Sequence, residues 1–348
     1  MNLEKSISKV LEATGPLEPL PTTRELGEQF SVSHVTVSRS LRRMLEGGIL
    51  WQAHSGRFYR AKDEASLARP RPVGCLVRSL SGWGAWYEGI MAGVGRACEV
   101  ESRGILVQPA ADLVRQRGPG EKTRFLPQNQ QQQLLTRYLD RNPKETVRLL
   151  LDDAWSDKVI RMEAGRLGLA RMLMRPGPIE GMQSCYPNFE QGALLGLFHL
   201  LEEGYEDIYF VQPYLSYPTT SHLEKSFVQA FKRLGGNSAR FKLWRSDGAS
   251  EFPSLIAELK RKRKRRSALV CPEDNFSVLL LRYLREAGLQ VPKQVGLLGA
   301  MGTRILQAEK VSCLKIDFIE LGERAVTGPF GEDGHALVDF TFERGGTT

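Results

Sequence analysis

The side chains that could do chemistry cluster in two places. Near the start, His34, Thr36, Ser38, Arg39, Arg42 and Arg43 occupy the outward positions of one helical pattern. Each can donate to phosphate oxygens or to base edges in a DNA major groove. From Ser33 to Lys62 there are six Lys or Arg against one acid, Glu46, so this stretch is locally cationic. Further on, Trp83, Trp86 and Tyr87 follow an apolar run. Their rings could stack on a flat ligand or a sugar ring, or pack a core. Asp152 and Asp153 end a later apolar run, where a carboxylate either accepts from a ligand or caps a helix.

The first set needs a short helix, a tight turn and a second helix whose outer face reaches the groove. The spacing predicts this layout. Leu3, Ile7, Val10 and Leu11 mark one helix, stopped by Gly15-Pro16. Thr22 or Thr23 caps a second helix running to Phe30. A third runs from about Ser33 to Glu46, with Val37, Leu41, Met44 and Leu45 on one face, and Gly47-Gly48 ends it. Ile49-Leu50-Trp51 and Arg57-Phe58-Tyr59 flank His54-Ser55-Gly56 as a hairpin.

Beyond a linker ending Arg-Pro-Arg-Pro, short apolar runs alternate with helical patterns. The runs are Val73–Arg78, Gly104–Gln108, Val147–Leu151, Ile208–Val211, Ser267–Val270 and Val295–Leu298. The helical stretches are Tyr87–Glu99, Gln130–Arg141, Phe189–Glu203, His222–Leu234, Phe252–Arg266 and Phe276–Ala287. Such alternation predicts parallel sheets covered on both faces, and the length available calls for two α/β lobes.

Composition removes several classes. The 348 residues carry 48 Lys+Arg and 40 Asp+Glu, a formal net charge of +8. Residues 260–266 are seven consecutive cations, so nearly all of that excess is one patch, read as a solvated helix end in preference to a phosphate site or a localisation signal. Five scattered cysteines with no Cys-x-x-Cys argue against a disulfide framework or a zinc ribbon. The histidines are dispersed, so no metal site is expected. Gly93-Val94-Gly95 falls inside a helical pattern and lacks the third glycine of a dinucleotide fingerprint. No cofactor is expected. The longest apolar stretch is too short to span a bilayer, and a cytoplasmic location with no membrane partner is expected.

Two resemblances sharpen this. Leu20-Pro21-Thr22-Thr23-Arg24-Glu25-Leu26-Gly27, then Ser31-Val32-Ser33-His34-Val35-Thr36-Val37-Ser38-Arg39-Ser40-Leu41, then Gly48-Ile49-Leu50, resemble the winged helix-turn-helix of GntR-type transcription factors. The resemblance implies DNA contacts from Thr22, Arg24, Ser33, His34, Thr36, Ser38 and Arg39, with Gly56 and Arg57 in the wing. His34 and Ser38 stand where that family usually carries arginines, and the wing tip departs from its Gly-x-Gly-Thr, so the resemblance does not carry over the family's shared operator, and lower affinity is expected.

The remainder is similar to the effector domain of LacI-type, periplasmic-binding-protein-like regulators. The matching blocks are Asn188–Ala193 with Leu200–Tyr205, Phe227–Gly235, Ala268–Asp274, Leu284–Pro292 and Val295–Gly299. Leu321–Val326 and the ending Arg344–Thr348 also match. This implies a cleft between lobes, closing on a small molecule. Of the family's polar sugar clamps only Asp274 is retained. Leu223, Met301 and Tyr186 or Pro187 stand where relatives carry charge, which implies either a less polar effector or a pocket that has lost its ligand.

The expected architecture is therefore α/β: an N-terminal winged helix-turn-helix over residues 1–62, a linker over 63–72, and a two-lobe doubly wound parallel-sheet body over 73–348. Lobe one is expected at about 73–180 and 316–333, and lobe two at about 181–315 and 334–348. The expected effector contacts are Trp83, Tyr87, Asp153, Tyr186, Asp274 and Met301. The expected partners are double-stranded operator DNA, a small-molecule effector of sugar-like or less polar type, and a second copy of the chain. The reading is a transcription regulator, in the first place a repressor, and not an enzyme. Alternatives are a ligand-free dimeric DNA-binding scaffold with a degenerate pocket, or an α/β enzyme, which lacks a visible nucleophile–base set.

Overall fold

The computed structural model describes residues 3–14, 19–47, 49–52, 56–60, 71–77, 85–109, 114–115, 124–142, 146–151, 154–176, 182–213, 218–234, 240–246, 249–262 and 265–348. Contacts divide the chain into two units, Met1–Pro70 and Arg71–Thr348.

The first unit holds helices Leu3–Ala13, Thr23–Phe30 and His34–Glu46, then an antiparallel pair, Leu50–Gln52 with Phe58–Arg60. Its core is its own: Ile7, Leu11, Leu20, Leu26, Val37, Leu41, Met44 and Leu50 come together from every element. The second helix starts in a capping box, with the Thr22 N–H donating to Glu25 Oε2 at 2.6 Å and the Glu25 N–H to Thr22 Oγ1 at 3.3 Å. It ends at Ser31 in the left-handed conformation. A Cβ on Gly27 would lie 2.9 Å from the Val32 carbonyl oxygen, so a residue without a side chain lets the turn close.

The second unit is built on two six-stranded sheets. In the first lobe the order is His335–Val338, Gln183–Pro187, Ala170–Leu173, Arg148–Leu150, Val73–Val77, Ile105–Pro109, all parallel. In the second it is Arg240–Ser246, Asp207–Pro213, Ser267–Cys271, Val295–Gly299, Ser312–Ile316, closed by antiparallel Phe340–Glu343. Strands Val73–Val77, Ser267–Cys271 and Val295–Gly299 are buried along their whole length, as expected for strands covered on both faces.

Helices Ala85–Val100 and Phe318–Thr327 lie against each other in the first lobe. A Cβ on Gly93 would collide with the Ile319 carbonyl and one on Gly322 with that of Ile90. Gly93 therefore serves a close helix crossing.

The chain passes between the sheets three times, each time in one residue: at Asn188, Asp317 and Asp339. This corrects the expected lobe limits. Residues 183–187 and 335–338, assigned from sequence to the second lobe, add as parallel strands to the first sheet, so the crossings come later than expected. The helix expected to run through residue 266 ends at Arg261, where the chain turns to enter the Ser267 strand.

One apolar cluster runs through the hinge. It links Val73 and Ile90 of the first lobe through Phe189 and Phe340 to Phe210 and Phe227 of the second. Among the described residues no helix is long and apolar enough to cross a membrane, and no cluster of His, Cys, Asp and Glu could hold a metal ion. All five cysteines are buried and unpaired. Burial pushes the thiols of Cys75, Cys185, Cys271 and Cys313 up to about 12, so they are inert as nucleophiles.

Candidate nucleic-acid interface and effector cleft

On helix His34–Glu46 the residues buried against the core are Val37, Ser40, Leu41 and Met44. That leaves His34, Thr36, Ser38, Arg39, Arg42 and Arg43 on the outer face, all exposed, as are Thr22, Arg24, Ser33, Gly56 and Arg57. Three of these hydroxyls already have local work. Thr22 caps its helix, and Ser33 Oγ accepts from the Thr36 N–H at 3.2 Å while lying 2.8 Å from Thr36 Oγ1. The Thr22 backbone N–H holds the Glu25 carboxyl below its ordinary value. Arg43 lies 3.6 Å from Glu4, an exposed pair of little energetic weight.

In the hairpin, Gln52 Nε2 donates to the Gly56 carbonyl at 2.9 Å, and Trp51 stacks on Tyr59 with ring centroids 4.6 Å apart. His54 and Ser55 lie outside the described residues. Sequence reasoning passed over Val35, which is 54% exposed beside His34 and Thr36. An apolar residue held outward among donors is suited to a thymine methyl.

In the body, Tyr186, Asp274 and Met301 lie at or just beyond the C-terminal ends of parallel strands, the edge where open α/β sheets take ligands. Trp83 and Asp153, with Asp152, lie outside the described residues. Tyr87 is buried and its hydroxyl donates to the Leu151 carbonyl at 2.6 Å, bracing its helix against the end of a strand. Tyr186 is half-buried beside the hinge, 6.3 Å from the Phe189 ring and edge-on to His335.

Asp274, the first residue of helix Asp274–Glu286, and Met301, just after strand Val295–Gly299, come together in the second lobe. The Thr303 N–H donates to Asp274 Oδ2 at 2.8 Å, while Oδ1 is buried without a hydrogen-bond partner. Burial pushes the Asp274 carboxyl up to about 6, against the opposing pull of Thr303. Leu223 is fully buried in the core.

Two features of the cleft edge escaped the sequence. Gln212, near the end of strand Asp207–Pro213, is 3% exposed with neither Oε1 nor Nε2 hydrogen-bonded. Its only sequence signal is an amide closing the apolar run Ile208–Val211. Thr219, in the first turn of helix Pro218–Leu234, donates its hydroxyl across the cleft to the Met174 carbonyl at 2.6 Å. Met174 holds a left-handed backbone with φ 62°, a conformation that persists only where surrounding structure enforces it.

The cationic run departs from the expected solvated helix end. Lys262 Nζ donates to the Tyr209 hydroxyl at 2.9 Å and lies 3.2 Å from Glu258. Arg265 lies 3.9 Å from the buried carboxylate of Asp207, and Arg266 covers the Tyr205 ring at 4.4 Å. The charge of Asp207, hidden in the sheet, draws these cations inward. Residues 263 and 264 of the run lie outside the described residues.

Residues 197–327 match the model of the periplasmic binding protein-like domain. No curated protein sequence matches the chain. Among solved structures, the chain is similar to a probable maltose operon transcriptional repressor from Staphylococcus aureus, with TM-score 0.63 and 11% identity over 80% of this chain and 97% of that one. It is also similar to a LacI transcriptional regulator from a Rhodococcus species, with TM-score 0.62 and 17% identity over 79% and 98%. A LacI-family regulator from Weissella paramesenteroides with bound sucrose aligns with TM-score 0.62 and 14% identity over 80% and 98%. The body thus has the two-lobe, periplasmic-binding-protein-like fold found in LacI-family regulators.

Proposed function

We propose that the chain is a one-component transcription regulator, with a winged helix-turn-helix of GntR type reading operator DNA and a two-lobe body sensing a small molecule. The observation that carries this reading is the outer face of helix His34–Glu46. It presents His34, Thr36, Ser38, Arg39, Arg42 and Arg43 from a unit with its own core, in one chain with a ligand-binding fold. Helix and hairpin supply the two arms of the interface: Arg24 and Arg39 toward phosphates and guanine edges, Val35 toward a thymine methyl, and Gly56-Arg57 at the backbone beside the hairpin. Thr22 and Ser33 cap the two helix starts, and Thr36 is bonded to Ser33, so these residues fix the position from which Arg24 and Arg39 meet the duplex.

The body works by population shift: an effector that prefers one lobe arrangement favours it, and two heads of a homodimer change spacing on a two-fold operator. Repression is the expected output, in the cytoplasm, with no catalytic step. Within the cleft, Trp83, Tyr87, Asp153, Tyr186, Asp274 and Met301 form the proposed effector surface. With Leu223 in the core, that surface is less polar than a clamp for many hydroxyls.

A gel-shift series at increasing salt tests the head. Arg39→Ala is expected to weaken duplex binding by about tenfold and to reduce the salt slope by about one, because one cation leaves the phosphate surface. Unchanged affinity and slope would falsify the role of this helix.

A further inference from the structure

We infer that Gln212 reads the effector, and that this effector presents a hydrogen-bond donor and an acceptor side by side, as a lactam or a uracil-like ring does. The inference rests on the proposed sensor role of the body. Gln212 is 3% exposed, and both ends of its amide lack a hydrogen-bond partner. Buried polar groups in native proteins are paired, so an exception at a ligand-binding edge points to a partner from outside the chain.

Among the glutamines the exception is specific. Gln131, equally buried, donates to the Leu126 carbonyl at 2.8 Å and accepts from the Ser156 N–H at 2.8 Å. Gln191 donates to the Phe340 carbonyl at 3.0 Å and accepts from its N–H at 2.9 Å. Among the described residues, Gln212 is the one glutamine buried with neither end satisfied.

Its place fits. Strand alternation puts Gln212 on the same face as Ile208 and Phe210, the face covered by helix Pro218–Leu234, and Phe210 meets Phe227 of that helix. The helix begins beside the end of the strand, and there Thr219 bridges to Met174 of the first lobe. Gln212 therefore lies under the point where the lobes meet.

The chemistry follows from the side chain. A primary amide holds an acceptor and a donor in one plane, and the complement that satisfies both together is a donor beside an acceptor. The side chains that the strand and its covering helix bury on this face, Phe210, Leu223 and Phe227, are all apolar and fully buried. A sugar with many hydroxyls would leave most of them unpaired there, whereas a flat cis-amide edge is satisfied by one glutamine and covered by apolar groups.

Thermal unfolding of the full chain tests this, with uracil and 2-pyrrolidone as probes, glucose and ribose as controls, on wild type and Gln212→Met. Without ligand, Gln212→Met is expected to melt at or above the wild-type temperature, because it removes an unpaired amide while keeping the volume. A cis-amide probe at ten times its Kd is expected to raise the wild-type Tm by about 2–4 °C and to leave the variant unmoved.

Three results overturn the inference. Gln212→Met melting several degrees below wild type means that the amide is satisfied within the fold. Glucose or ribose shifting both proteins equally keeps the sensor role and removes Gln212 from it. No shift by either cis-amide probe rejects the ligand class. Failure of the wild-type chain to bind any duplex in a parallel titration removes the regulator reading instead, whatever the melting curves show.

Discussion

The hinge and the cleft edge of the second lobe each contain a glutamine, and the two are treated in opposite ways. Gln191 acts as a piece of backbone. Its amide pairs with both the N–H and the C=O of Phe340, just beyond the Asp339 crossing. Asn188 adds a bond to Asp339 at 2.8 Å and donates its N–H to the Val338 carbonyl at 2.7 Å. Gly192 leaves room for the Phe340 ring. These bonds tie two of the three crossings to each other. At the cleft edge, by contrast, Gln212 and Asp274 Oδ1 of the second lobe keep polar capacity unused, and Met174 of the first lobe keeps a left-handed backbone. The hinge glutamine is satisfied where the lobes are joined, while the glutamine at the cleft edge is not.

Breaking the hinge should have the largest effect. Gln191→Leu leaves the Phe340 N–H and C=O without their partner, and a loss of about 2–4 kcal/mol in unfolding free energy is expected from denaturant titration. Gln212→Met, in the same assay, should lose nothing. Equal losses in the two variants would abolish the contrast between the regions.

Asp274 offers a pH-dependent version. Its folded-state pKa of about 6 lies above the ordinary 3.8, so the stability tied to its protonated form is complete below about pH 4 and is lost as pH rises through 6. Asp274→Asn does not titrate. Its stability relative to wild type should therefore grow between pH 4.5 and 7, by roughly 2 kcal/mol at most. A gap that is constant with pH would mean that the carboxyl is not desolvated in the native state.

The smallest expected effect belongs to Thr219→Val. It removes one hydrogen bond across the cleft, about 1 kcal/mol, and should act mainly on lobe opening. Small-angle scattering should show a larger radius of gyration for the variant with its unfolding midpoint nearly unchanged. A drop in midpoint matching that of Gln191→Leu would place Thr219 among the structural ties.

What the sequence made legible follows from local physics. Continuous apolar runs such as Val73–Arg78 and Ser267–Val270 announce strands covered on both faces, and the capped, punctuated helices of the first unit need no tertiary information. Strand Gln183–Pro187 is largely polar by composition, and Arg240–Ser246 alternates as an edge strand does, so neither stands out from loop sequence. The crossings at Asn188, Asp317 and Asp339 are one residue long and leave no compositional mark, which is why the lobe limits were misplaced by several residues. Candidate residues on helix faces could be named from periodicity. The state of Gln212 could not, because an unpaired amide is a property of its surroundings and not of its neighbours in sequence. Lys262 and Arg265 likewise read as solvent-facing until the fold sets Asp207 beneath them.

Enrichment of bound sequences from a randomised duplex pool, using the full-length chain near physiological salt, tests most directly whether the first unit reads DNA as the head of a dimeric regulator. The result expected is one enriched site of two related half-sites in two-fold arrangement, bound with an affinity that falls steeply as salt rises. An unenriched pool, with only weak binding that is indifferent to sequence, would contradict it.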